Sequence, residues 1–118
     1  MSLTVHTEQR GDVDVVSVAG ELDMATAPQL QDQITDLLDK GRSRLVFDLA
    51  DVSFCDSTGL SVFVRAKNSC DEAGGVVRLA APQRGVLRIL EVSGLVEVLH
   101  TYPTVEQAVA GDPTPASS

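Results

Sequence analysis

Leu45-Val46-Phe47-Asp48-Leu49, followed almost at once by Asp51-Val52-Ser53-Phe54-Cys55-Asp56-Ser57-Thr58-Gly59-Leu60, is the stretch on which the fold depends. The first five residues form a short apolar run, the kind required of a strand covered on both faces. The second segment leads out of that strand into a helix that starts around Ser57 and ends at Gly74-Gly75. At 100° per residue, Leu60, Phe63, Ala66 and Cys70 form its inward stripe, Val62 and Val64 flank it, and Ser61 and Arg65 point outward beside Val62. A buried strand feeding an amphipathic helix is half of a parallel crossover unit.

The flanks complete the pattern. Upstream, two β-rich runs within Leu3–Val18 surround Arg10-Gly11-Asp12 and predict an antiparallel hairpin. Gly20-Glu21-Leu22-Asp23 breaks the alternation. Thr26-Ala27-Pro28-Gln29 then supplies an N-cap, an early proline and a capping-box Gln. Leu30, Ile34, Leu37 and Leu38 follow on one helical face, with Lys40 and Gly41 at its end. Downstream, strands are expected near 76–81 and 97–100, separated by a helix from about Gln83 to Gly94. Thr104-Val105-Glu106-Gln107 repeats the capping-box pattern before Ala108. The expected fold class is α/β: one domain over residues 1–111, with a mixed sheet (N-terminal antiparallel hairpin, then parallel strands) and packed helices. Residues 112–118 offer nothing to bury and are expected to form a disordered tail.

Composition narrows the function. With 118 residues the chain has room for one core, and with 3% aromatics that core is aliphatic. Seventeen acidic residues against nine basic ones give a net charge of −8, which repels nucleic acid and anionic lipid. No run reaches the roughly 20 apolar residues of a membrane span, so no direct membrane insertion is expected, and the cytoplasm is the expected location. Cys55 and Cys70 stand fifteen positions apart with no CxxC, so neither a disulfide framework nor a zinc site is expected. They are read as small buried hydrophobes, and no metal or cofactor is expected.

The junction between the central strand and its helix is where ligands and partners usually meet an open α/β sheet. From the residues alone, Ser57 has two readings. It can cap the helix, a role worth about 1 kcal/mol. It can also be a modification site, because a helix N-terminus accommodates the roughly −1.5 to −2 charge of a phosphate. Gly59 admits a close backbone approach, and Val62 beside Ser61 and Arg65 is expected to be exposed, either as ordinary surface scatter or as a docking residue that extends the site.

Asp56-Ser57-Thr58-Gly59-Leu60, with Gly20-Glu21-Leu22-Asp23, Leu87-Arg88-Ile89-Leu90-Glu91-Val92-Ser93-Gly94-Leu95 and Thr104-Val105-Glu106-Gln107-Ala108, resembles the STAS family, specifically the bacterial anti-sigma factor antagonists. The resemblance covers nearly the whole chain up to Gly111. It implies that Ser57 is the phosphoacceptor and Asp56 its positioning neighbour. Asp23 is then a second acidic residue beside the site, although a solvated turn carboxylate is an equal reading. Asp23, Asp56, Ser57, Thr58, Gly59, Ser61, Val62 and Arg65 form the expected partner-binding set. The implied partners are an anti-sigma factor that is an ATP-binding serine kinase and a metal-dependent serine phosphatase. Unphosphorylated antagonist binds the anti-sigma factor, and the sigma factor is released. Position 61 is Ser where the family commonly has Gly.

Competing readings fit less well. Cys55-Asp56-Ser57-Thr58-Gly59 lacks the first glycine of a nucleophile elbow, and His6 and His100 lie on strand segments, so no enzyme is expected. A phospho-aspartate receiver at Asp48 or Asp51 needs further carboxylates for Mg²⁺, which the first strand does not offer. The remaining alternative is a STAS-type scaffold or accessory subunit of a signalling or transport assembly, without phosphoswitching.

Overall fold

The computed structural model describes residues 2–111. The elements are β1 (Leu3–Arg10), β2 (Val13–Leu22), α1 (Ala27–Asp39), β3 (Arg44–Cys55) and α2 (Ser57–Glu72), then β4 (Val76–Ala80), α3 (Arg84–Val92), α4 (Leu95–Val98), β5 (His100–Tyr102) and α5 (Val105–Ala110). The strands form one sheet in sequential order, β1-β2-β3-β4-β5. β1 is antiparallel to β2, and the remaining neighbours are parallel. The expected mixed sheet with an N-terminal hairpin is therefore present. The expected tail beyond Gly111 lies outside the described residues.

Sequential parallel order has a consequence. If every crossover is right-handed and moves the same way across the sheet, the connecting helices share one face. The core agrees: Leu30, Ile34 and Leu37 of α1, Phe63 and Ala66 of α2 and Val86 and Leu90 of α3 pack in one cluster with Val16, Leu45, Phe47 and Leu79 of the sheet. Phe47 and Phe63 meet edge to face, ring centroids 5.1 Å apart, and join β3 to α2 at the centre. Among the described residues the opposite face is covered by α5, through Ala108, Val105 and Val109 against Val13, Val15, Val46, Ala80 and Tyr102.

Several boundaries differ from the sequence reading. β2 does not end at Val18, and β3 does not end at Leu49. Both run on, Ala19–Leu22 pairing with Asp51–Cys55, with register shifts on either side of Ala19–Gly20. β1 still pairs with Ala19 and Gly20, so only Glu21–Leu22 continue as a two-stranded ribbon with β3. The shifts hide the extension, because an irregular strand loses its period-2 signal. Gly20 is required there: its φ is +112°, and a Cβ would stand 2.3 Å from the Ser2 carbonyl oxygen. The strand expected at 97–100 lies at His100–Tyr102 instead, and Leu95–Val98 is a single helical turn closed by Leu99 N–H to the Leu95 carbonyl at 2.7 Å. A short apolar run carries no period by which helix and strand can be told apart.

The two capping boxes have different outcomes. Thr104 Oγ1 accepts from Gln107 N–H at 3.1 Å, as its spacing predicts. The Thr26 box is not made. Thr26 has α-helical backbone angles, its hydroxyl donates to the Glu21 carbonyl at 2.8 Å, and Gln29 reaches back to the Leu3 carbonyl at 2.8 Å. Asp23 takes over the turn, its Oδ1 accepting from Ala25 N–H at 2.9 Å and Thr26 N–H at 3.0 Å.

Candidate functional site

The β2–β3 ribbon projects past the last residues of β4, and both chain segments that leave it turn into helices. Asp56 N–H donates to the Leu22 carbonyl at 3.1 Å, so the entries to α1 and α2 are tied together. Asp56 is extended, with φ −99° and ψ −173°, and its Oδ1 accepts from Gly59 N–H at 3.0 Å. Asp56 is thus the N-cap, and Ser57 is the first helical residue. Of the two readings of Ser57, the structure removes the cap. The Ser57 side chain is exposed, and no hydrogen bond holds its hydroxyl among the described residues.

Gly59 does admit a close approach, though not by a backbone. It is buried in the first turn of α2, and a Cβ there would stand 2.7 Å from Leu22 Cγ and 2.9 Å from Cys55 Sγ. It seats the helix on the domain's own core. Cys55 is buried beneath, its thiol donating weakly to the Asp56 carbonyl at 3.6 Å. Burial pushes the Cys55 thiol up to about 12, with a smaller contribution from the Asp56 carboxylate. Cys70 is likewise buried, and burial first, then Asp71, raises it to about 11. The reading of both cysteines as small hydrophobes matches their burial as free thiols.

Val62 departs from the expectation of an exposed docking residue. It is 4% exposed and part of the main core, because α1 packs beside α2 and closes that flank. Ser61 and Arg65 do point outward. The Ser61 hydroxyl donates to the Ser57 carbonyl at 3.0 Å. Thr58 is half-buried. Asp23 is committed to the turn before α1, which supports the turn-carboxylate reading of that residue.

Ser57 overlooks a concavity of about 530 Å³ between α1 and α2, lined on one side by Met24, Ala27, Pro28 and Asp32 and on the other by Thr58, Ser61, Val62 and Arg65. A second concavity of about 490 Å³ lies between α2 and the α3–α4 segment, where Leu60 and Val64 face Ser93 and Leu95. Ser57, Ser61 and Arg65 line both. They form a ridge with a groove on each side. Neither His6 nor His100 lines either groove. Among the described residues no three His, Cys, Asp or Glu side chains gather as a metal site, and no helix is long and apolar enough to cross a membrane.

Two large apolar side chains at this end were missed by the sequence reading. Met24 is 75% exposed and Phe54 49% exposed. The available signal for Met24 was a long apolar residue inside a polar turn, Glu21-Leu22-Asp23-Met24. Phe54 had none, because its outward direction follows from the register shifts in β3.

Comparison with known proteins gives the same outline. The family model described as STAS domain matches residues 4–108. The anti-sigma-B factor antagonist of Bacillus subtilis (strain 168) is 32% identical over 99 residues, covering 84% of this chain and 90% of the relative. That of Staphylococcus aureus (strain NCTC 8325 / PS 47) is 29% identical over 106 residues, 90% of this chain and 98% of the relative. The crystal structure of an anti-sigma factor antagonist from Mycobacterium paratuberculosis superimposes with a TM-score of 0.85 at 32% identity, covering 92% of each chain.

Proposed function

The chain belongs to the STAS domain family, and from that premise we propose that it is an anti-sigma factor antagonist whose docking is switched at Ser57. Unmodified, it binds an anti-sigma factor that is also an ATP-dependent serine kinase, and the sigma factor is set free. The kinase transfers the γ-phosphoryl group of ATP to Ser57 Oγ: the new O–P bond forms, the bond to ADP breaks, and the hydroxyl proton passes to a base of the kinase. A metal-dependent serine phosphatase hydrolyses the ester, returning the hydroxyl and releasing inorganic phosphate. The domain acts by binding and contributes no catalytic group, and the kinase's use of ATP and the sigma factor set the exchange in the cytoplasm.

One observation carries this reading: the helix cap is Asp56, so Ser57 is exposed and free to be modified without loss of the cap. Gly59 and Cys55 serve the same seat from below. In the free domain the phosphate is solvated at the positive end of α2. In the complex it is desolvated beside Asp56, where an unpaired buried charge costs several kcal/mol. A loss of roughly 3 kcal/mol weakens binding more than a hundredfold.

Calorimetric titration against the partner kinase, with phosphosite mapping, tests this. Ser57→Ala binds constitutively and resists labelling, Ser57→Asp binds poorly yet melts close to wild type, and Thr58→Ala is still labelled. Wild-type affinity in Ser57→Asp, with phosphate mapped elsewhere, would make a constitutive scaffold the better account.

A further inference from the structure

We propose that Arg65 is the counter-charge for phosphate on Ser57, so that one covalent event removes both the hydroxyl and the cation of the ridge from a docking partner. This rests on the reading of Ser57 as the acceptor and adds to it the group that answers the new charge. Ser57, Ser61 and Arg65 recur at i, i+4 and i+8 along α2, all exposed, and all three line both grooves. Among the described residues Arg65 is the only cationic side chain lining either groove. Among the described residues the salt bridges engage Arg10, Lys40, Arg42, Arg44 and Lys67, and none engages Arg65.

The ridge is built for such a contact. Eight residues of helix span about 12 Å, and an arginine on a helix leans back toward the N-terminus, here toward Ser57. Ser61 stands midway. Its hydroxyl hydrogen is committed to the Ser57 carbonyl at 3.0 Å, so its oxygen faces the ridge as an acceptor. That suits a guanidinium, whose five donors can serve Ser61 Oγ and a phosphate oxygen together. Among the described residues, the other charged side chains at the cap and on the groove walls are acidic: Asp56 at the cap and Asp32 on the α1 wall. Across the second groove, the α3–α4 segment presents Ser93 and Leu95, neither charged. A dianionic phosphate therefore has one cation to turn to within these walls.

The second ionisation of the phosphate reports the contact directly. At a separation of about 7 Å in water, one positive charge lowers that pKa by on the order of 0.4 unit at low salt. The shift shrinks as salt is added. Phosphoserine is installed at position 57 by codon suppression, so the measurement does not depend on which residue a native kinase chooses. Phosphorus NMR titration then compares wild type, Arg65→Ala, Arg65→Lys and Arg10→Ala. Arg10 lies beside the hairpin turn, at the far end of β2 from Ser57, and removes the same charge from a distant place. The expected result is a pKa raised by roughly 0.3–0.5 unit in Arg65→Ala, largely restored in Arg65→Lys and unchanged in Arg10→Ala. A value in Arg65→Ala within about 0.1 unit of wild type, or an equal rise in Arg10→Ala, overturns the assignment of Arg65. Phosphosite mapping with the kinase judges Ser57 itself, so the two failures are distinct.

Discussion

Replacing Gly59 by alanine sets two effects of opposite sign against each other. Gly59 is helical and has no positive φ, so alanine gains about 1 kcal/mol of helix propensity. The added Cβ, however, would stand 2.7 Å from Leu22 Cγ, 3.0 Å from Leu22 Cδ2 and 2.9 Å from Cys55 Sγ. Both neighbours are buried, Leu22 at 0% and Cys55 at 1% exposure, so neither can swing into solvent. Overpacking of this kind costs about 1–3 kcal/mol. The clash outweighs the propensity, and Gly59→Ala loses up to about 2 kcal/mol. Urea unfolding measures it, as a lower midpoint at unchanged slope. Cys55→Ala removes one of the two obstacles, so Gly59→Ala costs less in that background, with a coupling of about 1 kcal/mol expected for residues in contact. A Gly59→Ala protein more stable than wild type would refute the argument, because propensity alone would then be operating.

Three further outcomes follow from the same region and its support. Asp56→Ala loses about 1 kcal/mol by urea unfolding, because the carboxylate that caps α2 is gone, while Asp56→Asn keeps the cap and stays near wild type. At the other end of the sheet, buried Asp14 pairs with Arg42, which is a third exposed. Arg42→Ala strands a buried carboxylate, whereas Asp14→Ala leaves a cation that can turn to water, so Arg42→Ala gives the lower unfolding midpoint. Cys55 and Cys70, raised to about 12 and about 11, are held as neutral thiols. Their contribution to stability is fully present below the free-thiol value near 8.5 and is lost as pH rises from there through 11 and 12. Cys55→Ala therefore shows a shallower alkaline loss of melting temperature, and an unchanged slope would contradict the assignment.

The sheet class, the three long helices and the hairpin were legible because their signals are local: alternation in Leu3–Thr7, the β-rich run Val13–Val18, the Leu30–Ile34–Leu37 stripe, and the apolar run before Asp48. What escaped was decided by neighbours far away in the chain. Helical periodicity places Val62 on a flank of α2, and whether that flank is wet or dry depends on α1, which covers it. The Thr26 box is sound as a local pattern. It lost because Asp23 serves the same turn from outside the helix, while Glu21 and Leu3 engage the Thr26 and Gln29 side chains. The extension beyond Val18 and Leu49 exists because two irregular segments pair with each other, and neither carries the pattern alone.

The same logic explains why the candidate site was more legible than its surroundings. Asp56-Ser57-Thr58-Gly59 packs several separable tasks into consecutive positions. Asp56 satisfies Gly59 N–H, and Gly59 makes room for Leu22 and Cys55. Both tasks belong to folding and fix the helix start. Ser57 carries neither, and its exposed hydroxyl is left to whatever meets the protein. A residue relieved of structural duty by its two neighbours can change charge while the fold persists. Under the proposed function, this division of labour, rather than the serine alone, is what would let the motif act as a switch. It also separates the expected phenotypes: changes at Asp56 and Gly59 are read in stability, and changes at Ser57 in partner affinity.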